Sequence, residues 1–89
     1  MRYEFRWNDW NTEHIAQHGL EPADAEYVVC NARRPYPQRA GGDKYLVRGQ
    51  TSLGEYIQVA YVFDPEDMVF VIHARRLNER EKRRYRRRK

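Results

Sequence analysis

The residues with the clearest chemical potential form a run of cations that follows an apolar segment. Of the fifteen residues from Arg75 to Lys89, ten are Arg or Lys and two are Glu, so this segment carries a charge of +8. Because the whole chain carries +4, residues 1–74 carry −4. A basic segment attached to an otherwise acidic chain is typical of a surface that binds a polyanion.

Arginine and histidine stand at the start of this segment in a spacing that suits phosphate chemistry. Arg75 and Arg76 keep their charge at any working pH, and each can bind a phosphate through two parallel hydrogen bonds. In an extended strand His73 lies on the same side as Arg75, and histidine titrates near neutral pH. The pattern therefore predicts a phosphate-binding cation beside an acid–base group. The alternatives are that Arg75 only pairs with an acidic neighbour and that His73 is a neutral surface residue.

Two more histidines come early in the chain. His18 suits a general acid or base, and the alternative is that it packs against Trp7 or Trp10 at a helix end. His14 and His18 stand one helical turn apart, a spacing that can hold a metal ion. The sequence offers no third ligand beside them, so we predict no metal site.

Three other reactive side chains have both a functional and a purely structural interpretation, or an undecided position in the fold. Arg48 and Tyr61 could complete a site on neighbouring strands, although Tyr61 also suits the core. The sequence does not fix the face of the sheet on which Arg48 lies. Cys30 falls near an apolar helical stripe, which favours a core residue over a nucleophile.

The elements that must position these residues begin with two short helices. Asn8 or Asn11 can cap the first helix, which Gly19 closes. Pro22 is predicted to begin the second helix, and the proline-containing segment 33–37 ends it. The apolar stripe of the second helix consists of Ala25, Val28, Val29 and Ala32.

Beyond these helices the pattern changes to strands. Three strands are predicted at 44–50, 55–63 and 68–74, and their short connecting turns predict an antiparallel meander. Residues 3–7 are a candidate fourth strand. With the two helices on one face of the sheet and a basic helix at its end, residues 1–89 form a single α+β domain. Unbroken alternation in the third strand turns Phe70, Ile72 and Ala74 toward the helices, and Val71, His73 and Arg75 away from them.

The composition argues against several classes of protein. No window approaches the roughly 18 apolar residues of a membrane span. Residues 1–7 lack the apolar core of a signal peptide. The single cysteine cannot form a disulfide within the chain. We therefore expect a cytoplasmic protein with no membrane association.

Three short sequence motifs, taken together with their order and spacing, extend over nearly the whole chain. They are Phe5-Arg6-Trp7-Asn8 with His18-Gly19 after it; Tyr45-Leu46-Val47-Arg48-Gly49 before a glycine-containing turn; and Ile72-His73-Ala74-Arg75-Arg76 leading to Glu81-Lys82-Arg83-Arg84-Tyr85. Together they resemble the BrnT family, the ribonuclease toxins of bacterial type II toxin–antitoxin pairs. Two positions depart from the family pattern: His73 replaces a common Ser or Thr, and Gln17 replaces the usual Lys.

The resemblance implies a RelE-like fold and cleavage of RNA without a metal or other cofactor. The 2′-hydroxyl of the RNA attacks the phosphate, so the site needs a proton acceptor, a cation and a proton donor. We expect Arg75 to stabilise the phosphate charge, His18 or His73 to move protons, and Arg48 to support them. The residues expected to bind RNA are Arg76, Arg80, Arg83, Arg84 and Tyr85. For Tyr85 the alternative to stacking on a base is packing of the last helix onto the sheet.

The resemblance also implies partners and a biological effect. The toxin would inhibit translation and be held in a hetero-oligomer by a cognate antitoxin, often a ribbon–helix–helix DNA-binding protein. A non-catalytic module that binds nucleic acid or a partner is the first alternative, and it predicts salt-sensitive binding without cleavage. A structural subunit of a complex is the second, and it predicts assembly that survives truncation after Tyr85 with no nucleic acid bound.

Overall fold

Two helices, a four-stranded sheet and a third helix follow one another along the chain, which a computed structural model describes over residues 3–87. The elements are α1 (Asp9–Ala16), α2 (Pro22–Cys30), β1 (Gln38–Arg39), β2 (Tyr45–Gln50), β3 (Tyr56–Phe63), β4 (Val69–Arg76) and α3 (Glu79–Arg87). This order confirms the predicted α+β fold. Arg88 and Lys89, the end of the predicted basic run, lie outside the described residues.

The two early helices begin where capping chemistry predicts. The Asn8 side chain accepts a hydrogen bond from the Asn11 N–H at 3.1 Å, and the Asn11 side chain accepts one from the Asn8 N–H at 2.8 Å. This reciprocal capping box satisfies amides that the first turn of α1 leaves free. Gly19 has a φ of 73°, the left-handed conformation that turns the chain toward α2.

Helix α2 begins at Pro22 as predicted but ends at Cys30, before the segment expected to end it. Cys30 is exposed, so the prediction that it joins the core was wrong. Helical geometry gives the reason: Cys30 follows the buried Val28 by two residues, which turns it about 200° around the helix axis.

The sheet is antiparallel throughout, in the order β1-β2-β3-β4. The three main strands confirm the predicted meander, and the short β1 was not predicted. The candidate strand at 3–7 was wrong. Only Phe5 forms a bridge, to Val69, because the chain turns away from the edge of β4 to reach the cap of α1 at Asn8.

A β-bulge in β4 decides which side chains face the helices. Tyr61 pairs with Val71 and the adjacent Ala60 pairs with His73, so Ile72 is an extra residue between them. An extra residue reverses the alternation beyond it. Val71 and Ala74 are therefore both buried, whereas unbroken alternation placed them on opposite faces. That prediction was wrong for Val71 and for Phe70, which shares the face of its partner Val62, and Ile72 is the extra residue itself.

The core lies between the helices and one face of the sheet. Helix α1 contacts β4, and α2 contacts β2 and β3. Buried apolar residues of both helices and the sheet meet there, among them Ile15, Val28, Val29, Val47, Val59 and Ala74. The opposite face of the sheet, called the open face below, carries half-buried side chains such as Arg48, Val62 and Arg75, and Trp10 and His14 of α1 reach its edge at β4.

Val71→Ala is predicted to destabilise the fold by about 2 kcal/mol, because it removes apolar atoms from a fully buried position. The same change at Val62, which is half-buried on the opposite face, is the matched control and should cost less than about 1 kcal/mol. Urea denaturation measures both free energies of unfolding. A Val71 variant that costs less than the Val62 variant would contradict the bulge.

Candidate functional site

Arg48, Gln58 and Arg75 form a row across β2, β3 and β4. Gln58 pairs with Arg48 on one side and with Arg75 on the other, so the three side chains share one face of the sheet. The row above it, Val47, Val59 and Ala74, is buried on the other face. Arg48 and Arg75 therefore lie together on the face opposite the core. We call Arg48, Gln58, Arg75 and Glu81 the arginine cluster.

Glu81 from α3 holds the two arginines of this cluster. Its carboxylate accepts two parallel hydrogen bonds from Arg75, from Nη1 and Nη2, each at 2.8 Å. Arg48 Nη2 reaches the same carboxylate at 3.4 Å, and Arg48 Nε donates to Gln58 Oε1 at 2.9 Å. The side chains of Arg48 and Glu81 are 17% and 18% exposed, and that of Arg75 is 31% exposed. The cluster is thus partly shielded but reachable from solvent.

The pairing shifts both partners toward their charged forms. The hydrogen bonds from Arg75 lower the pKa of Glu81 to about 2, and the Asn78 N–H and the charge of Arg48 contribute to the same shift. The hydrogen bond to Glu81 raises the pKa of Arg75 above its usual value. A carboxylate of such low basicity is a poor general base near neutral pH, so Glu81 does not suit that role.

Three histidines meet beside the arginine cluster. His73 on β4 lies 5.5 Å from His18 and 6.3 Å from His14, measured between ring centroids. Helix α1 carries His14 and the turn after it carries His18, and both reach His73 because α1 packs along β4, the edge strand of the sheet. Trp10 stacks on His14 at 4.8 Å. We call His14, His18 and His73 the histidine cluster.

Burial and neighbouring cations set the charge state of His73. Burial lowers the pKa of His73 below its usual 6.5, and the charges of His18, Arg75 and His14 lower it further. The lowered pKa favours the neutral form of His73, which can accept a proton. His73 and Arg75 are two residues apart along β4, about 7 Å at the usual strand rise. The structure thus brings together four of the predicted site residues: Arg48, Arg75, His18 and His73.

Arg76 is not part of this grouping. It pairs with Ile57, a buried residue, so its side chain leaves β4 on the helix side of the sheet. There its Nη1 donates to the carbonyl of His18, and its Nη2 lies 3.3 Å from the Glu55 carboxylate. Arg76 therefore stabilises the turn after α1 through its hydrogen bond to the His18 carbonyl. Glu55, which directly precedes β3, is its exposed partner.

Three of the cations of α3 face solvent. Arg80, Arg83 and Arg84 are exposed, and none of them forms an ion pair with another residue of the described chain. Their spacing of three and four residues places them on one side of the helix. Glu81 and Tyr85, also four residues apart, lie on the side that meets the sheet. Three of the four predicted RNA-binding arginines thus form an exposed basic stripe, from which Arg76 is absent.

Tyr85 packs rather than projecting from the helix. Its ring lies 6.2 Å from Tyr36 and 5.9 Å from Tyr56, and burial raises the pKa of its hydroxyl. It is half-buried, which matches the alternative that it holds α3 against the sheet. Tyr61 is 1% exposed within the core, so it does not contribute to a surface site.

Sequence reasoning missed Glu81 and Gln58 as members of the site. Glu81 stands three residues after Asn78, and the spacing Asn-x-x-Glu is a capping-box signal that predicts a helix start there. That signal does not reveal that the same carboxylate also binds Arg75. Gln58 carries no signal of its own, since only the register of β3 against β2 and β4 shows its position between the arginines.

Three further findings concern the described residues as a whole. Within residues 3–87 no group of three His, Cys, Asp or Glu side chains is arranged to hold a metal ion, the histidine cluster included. A shallow concavity of about 690 Å³, lined by Phe63, Phe70 and their neighbours, lies at the other end of β3 and β4, away from the arginine cluster. None of the helices in the described range has the length and apolar character needed to cross a membrane.

Comparisons with known proteins found no match: no protein-family model, no curated protein and no solved structure is significantly similar to this chain.

The stabilising effect of Glu81 is predicted to disappear in acid. Its pKa is depressed from 4.5 to about 2 on folding, so the ionised carboxylate stabilises the fold fully above about pH 5. That contribution falls away as the pH drops from about 4.5 to about 2. Urea denaturation of the wild type and Glu81→Gln should show the largest difference in unfolding free energy at neutral pH. A difference that stays constant into strong acid would contradict the pairing.

Proposed function

We propose that this protein is a BrnT-like toxin, a metal-independent endoribonuclease that acts in the cytoplasm and inhibits translation by cleaving RNA. The observation that carries the proposal is the placement of His73 beside Arg75 and Arg48 on the face of the sheet opposite the core. The likeness of three stretches of the sequence to BrnT supports the same activity. No residue that the proposal uses is needed to form the core.

The proposed reaction uses the RNA as its own nucleophile. His73 accepts the proton of the 2′-hydroxyl, whose oxygen attacks the neighbouring phosphorus. Arg75, supported by Arg48, stabilises the negative charge that builds up on the phosphate oxygens. The bond from phosphorus to the 5′ oxygen breaks, and His18 gives that oxygen a proton. The products are a 2′,3′-cyclic phosphate and a 5′-hydroxyl end.

The exposed stripe of α3 supplies the rest of the proposed RNA contact. Arg80, Arg83 and Arg84 are free to bind phosphates on either side of the cut, which adds affinity without sequence information. Arg76 adds positive charge from the other side of β4. The same stripe suits an acidic segment of a cognate antitoxin, which we propose to be a ribbon–helix–helix DNA-binding protein that covers these cations in a toxin–antitoxin complex.

One observation favours the alternative, a non-catalytic module that binds nucleic acid or a protein partner. The two terminal nitrogens of Arg75 are already bound to Glu81, so the arginine is not free to hold a phosphate while that pairing lasts. A module of this kind would still bind RNA through the α3 stripe, and its binding would weaken with salt. It would leave the RNA intact.

Arg75→Ala is predicted to lower the rate of RNA cleavage at least about a hundredfold, because it removes the main cation at the reacting phosphate. Expression of the wild type in the absence of the proposed antitoxin should arrest growth and fragment total RNA. The Arg75 variant should do neither. Purified wild type should cleave a labelled RNA in the presence of a chelator, and a 2′-O-methyl group at the cut site should prevent cleavage there.

The matched control is Arg34→Ala, which removes the same charge from an exposed position in the segment between α2 and β1. It should keep the wild-type rate. Thermal unfolding of all three proteins separates loss of activity from loss of the fold. A wild type that leaves growth and RNA unchanged would overturn the nuclease proposal.

A further inference from the structure

Glu81 occupies the position that a phosphate would take at Arg75. Both of its carboxylate oxygens accept hydrogen bonds from the Arg75 guanidinium, and one of them also faces Arg48. A guanidinium binds a carboxylate or a phosphate through the same pair of parallel hydrogen bonds. The non-bridging oxygens of a phosphodiester could therefore replace the oxygens of Glu81 without any change in the arginines.

The charge of the cluster also favours an incoming anion. Two arginines face one carboxylate, so the arginine cluster keeps one positive charge that is not neutralised within it. The carboxylate is carried by the first turn of a surface helix and not by the sheet, whereas both arginines are carried by the sheet, on β2 and β4, one on either side of Gln58. Glu81 can thus move away while the cations stay in place.

The same carboxylate helps to start α3. Glu81 Oε1 accepts a hydrogen bond from the Asn78 N–H at 2.9 Å, and the Asn78 side chain accepts one from the Glu81 N–H at 2.8 Å. These two bonds form the capping box of α3. Displacement of Glu81 from Arg75 therefore changes the surroundings of the first turn of the helix that carries the basic stripe.

We propose that Arg48 and Arg75 form a phosphodiester-binding site which Glu81 fills in the free protein, and that RNA binds there by displacing Glu81. The proposal rests on the proposed function for its ligand, a single-stranded RNA. It explains how Arg75 can be fully paired in the free protein and still serve as the phosphate-binding cation.

The test measures binding of a 2′-O-methyl RNA oligonucleotide, which the proposed reaction cannot cleave, by fluorescence anisotropy. Glu81→Gln should bind it about tenfold more tightly than Glu79→Gln, because only the first change removes the competitor for Arg75. Glu79 is the matched control: it lies on the same helix, loses the same charge and pairs with Lys82, not with the arginines. Titration with inorganic phosphate shows whether the site also takes the free anion.

Two results would overturn the proposal. Equal affinities of the Glu81 and Glu79 variants would mean that only net charge matters. Weaker binding by Glu81→Gln would mean that Glu81 positions Arg75 for RNA and does not compete with it. Glutamine is accepted at this position of a capping box, so the helix start should survive, and thermal unfolding checks the fold.

The wild type provides a second test that needs no substitution. Saturation with the uncleavable RNA should shift the NMR signals of the Asn78 backbone amide and of Arg75 Nε–Hε, since both groups change their partner or surroundings. Unchanged signals at saturation would contradict displacement. Cleavage assays keep the two proposals apart: tighter binding by Glu81→Gln with no cleavage by any variant rejects the nuclease alone, and cleavage without tighter binding rejects the displacement alone.

Discussion

The carboxylate of Glu81 joins three parts of the molecule that the chain itself keeps apart. It binds Arg75 on β4 through two hydrogen bonds, faces Arg48 on β2 and accepts a hydrogen bond at the start of α3. Without a shared anion, two guanidinium groups in one row across the sheet would repel each other. The pairing therefore lets cations concentrate on the open face and fixes α3 beside them.

The β-bulge at Ile72 is the second constraint on the site. A regular strand that buried Val69 and Val71 would also bury His73 and Arg75, since all four would lie on one face. The extra residue reverses the alternation, so that Ala74 enters the core and His73 and Arg75 leave it. Because of the bulge, one short strand buries its apolar residues Val71 and Ala74 and still places the candidate site residues His73 and Arg75 outside the core.

The sequence predicted those parts of the fold that depend on local chemistry. The start of α2 at Pro22, the cap of α1 at Asn8, and the three main strands all follow from side-chain preferences within a few residues. The bulge was not predictable, because it depends on how β4 aligns with β3. The face on which Cys30 lies was misjudged, although the helical period places it away from the apolar stripe.

The sequence identified most residues of the candidate site, but it did not show which of them contact one another. Residue chemistry identified Arg48, Arg75, His18 and His73, which the structure places near one another. It also suggested Arg76, which braces the helix side instead. Glu81 was missed because its partner comes from a strand, and a contact between a helix and a strand leaves no periodic signal. The possibility that Arg75 pairs with an acidic neighbour was foreseen without its identity.

The central claim is that Arg75 and Glu81 interact strongly enough to organise this face of the protein. A double-mutant cycle tests it most directly, with unfolding free energies of the wild type, Arg75→Ala, Glu81→Ala and the double variant at neutral pH. We predict a favourable coupling of about 1 kcal/mol or more between the two side chains. Effects that add to within about 0.3 kcal/mol would show that the pair does not stabilise the site and would contradict the account.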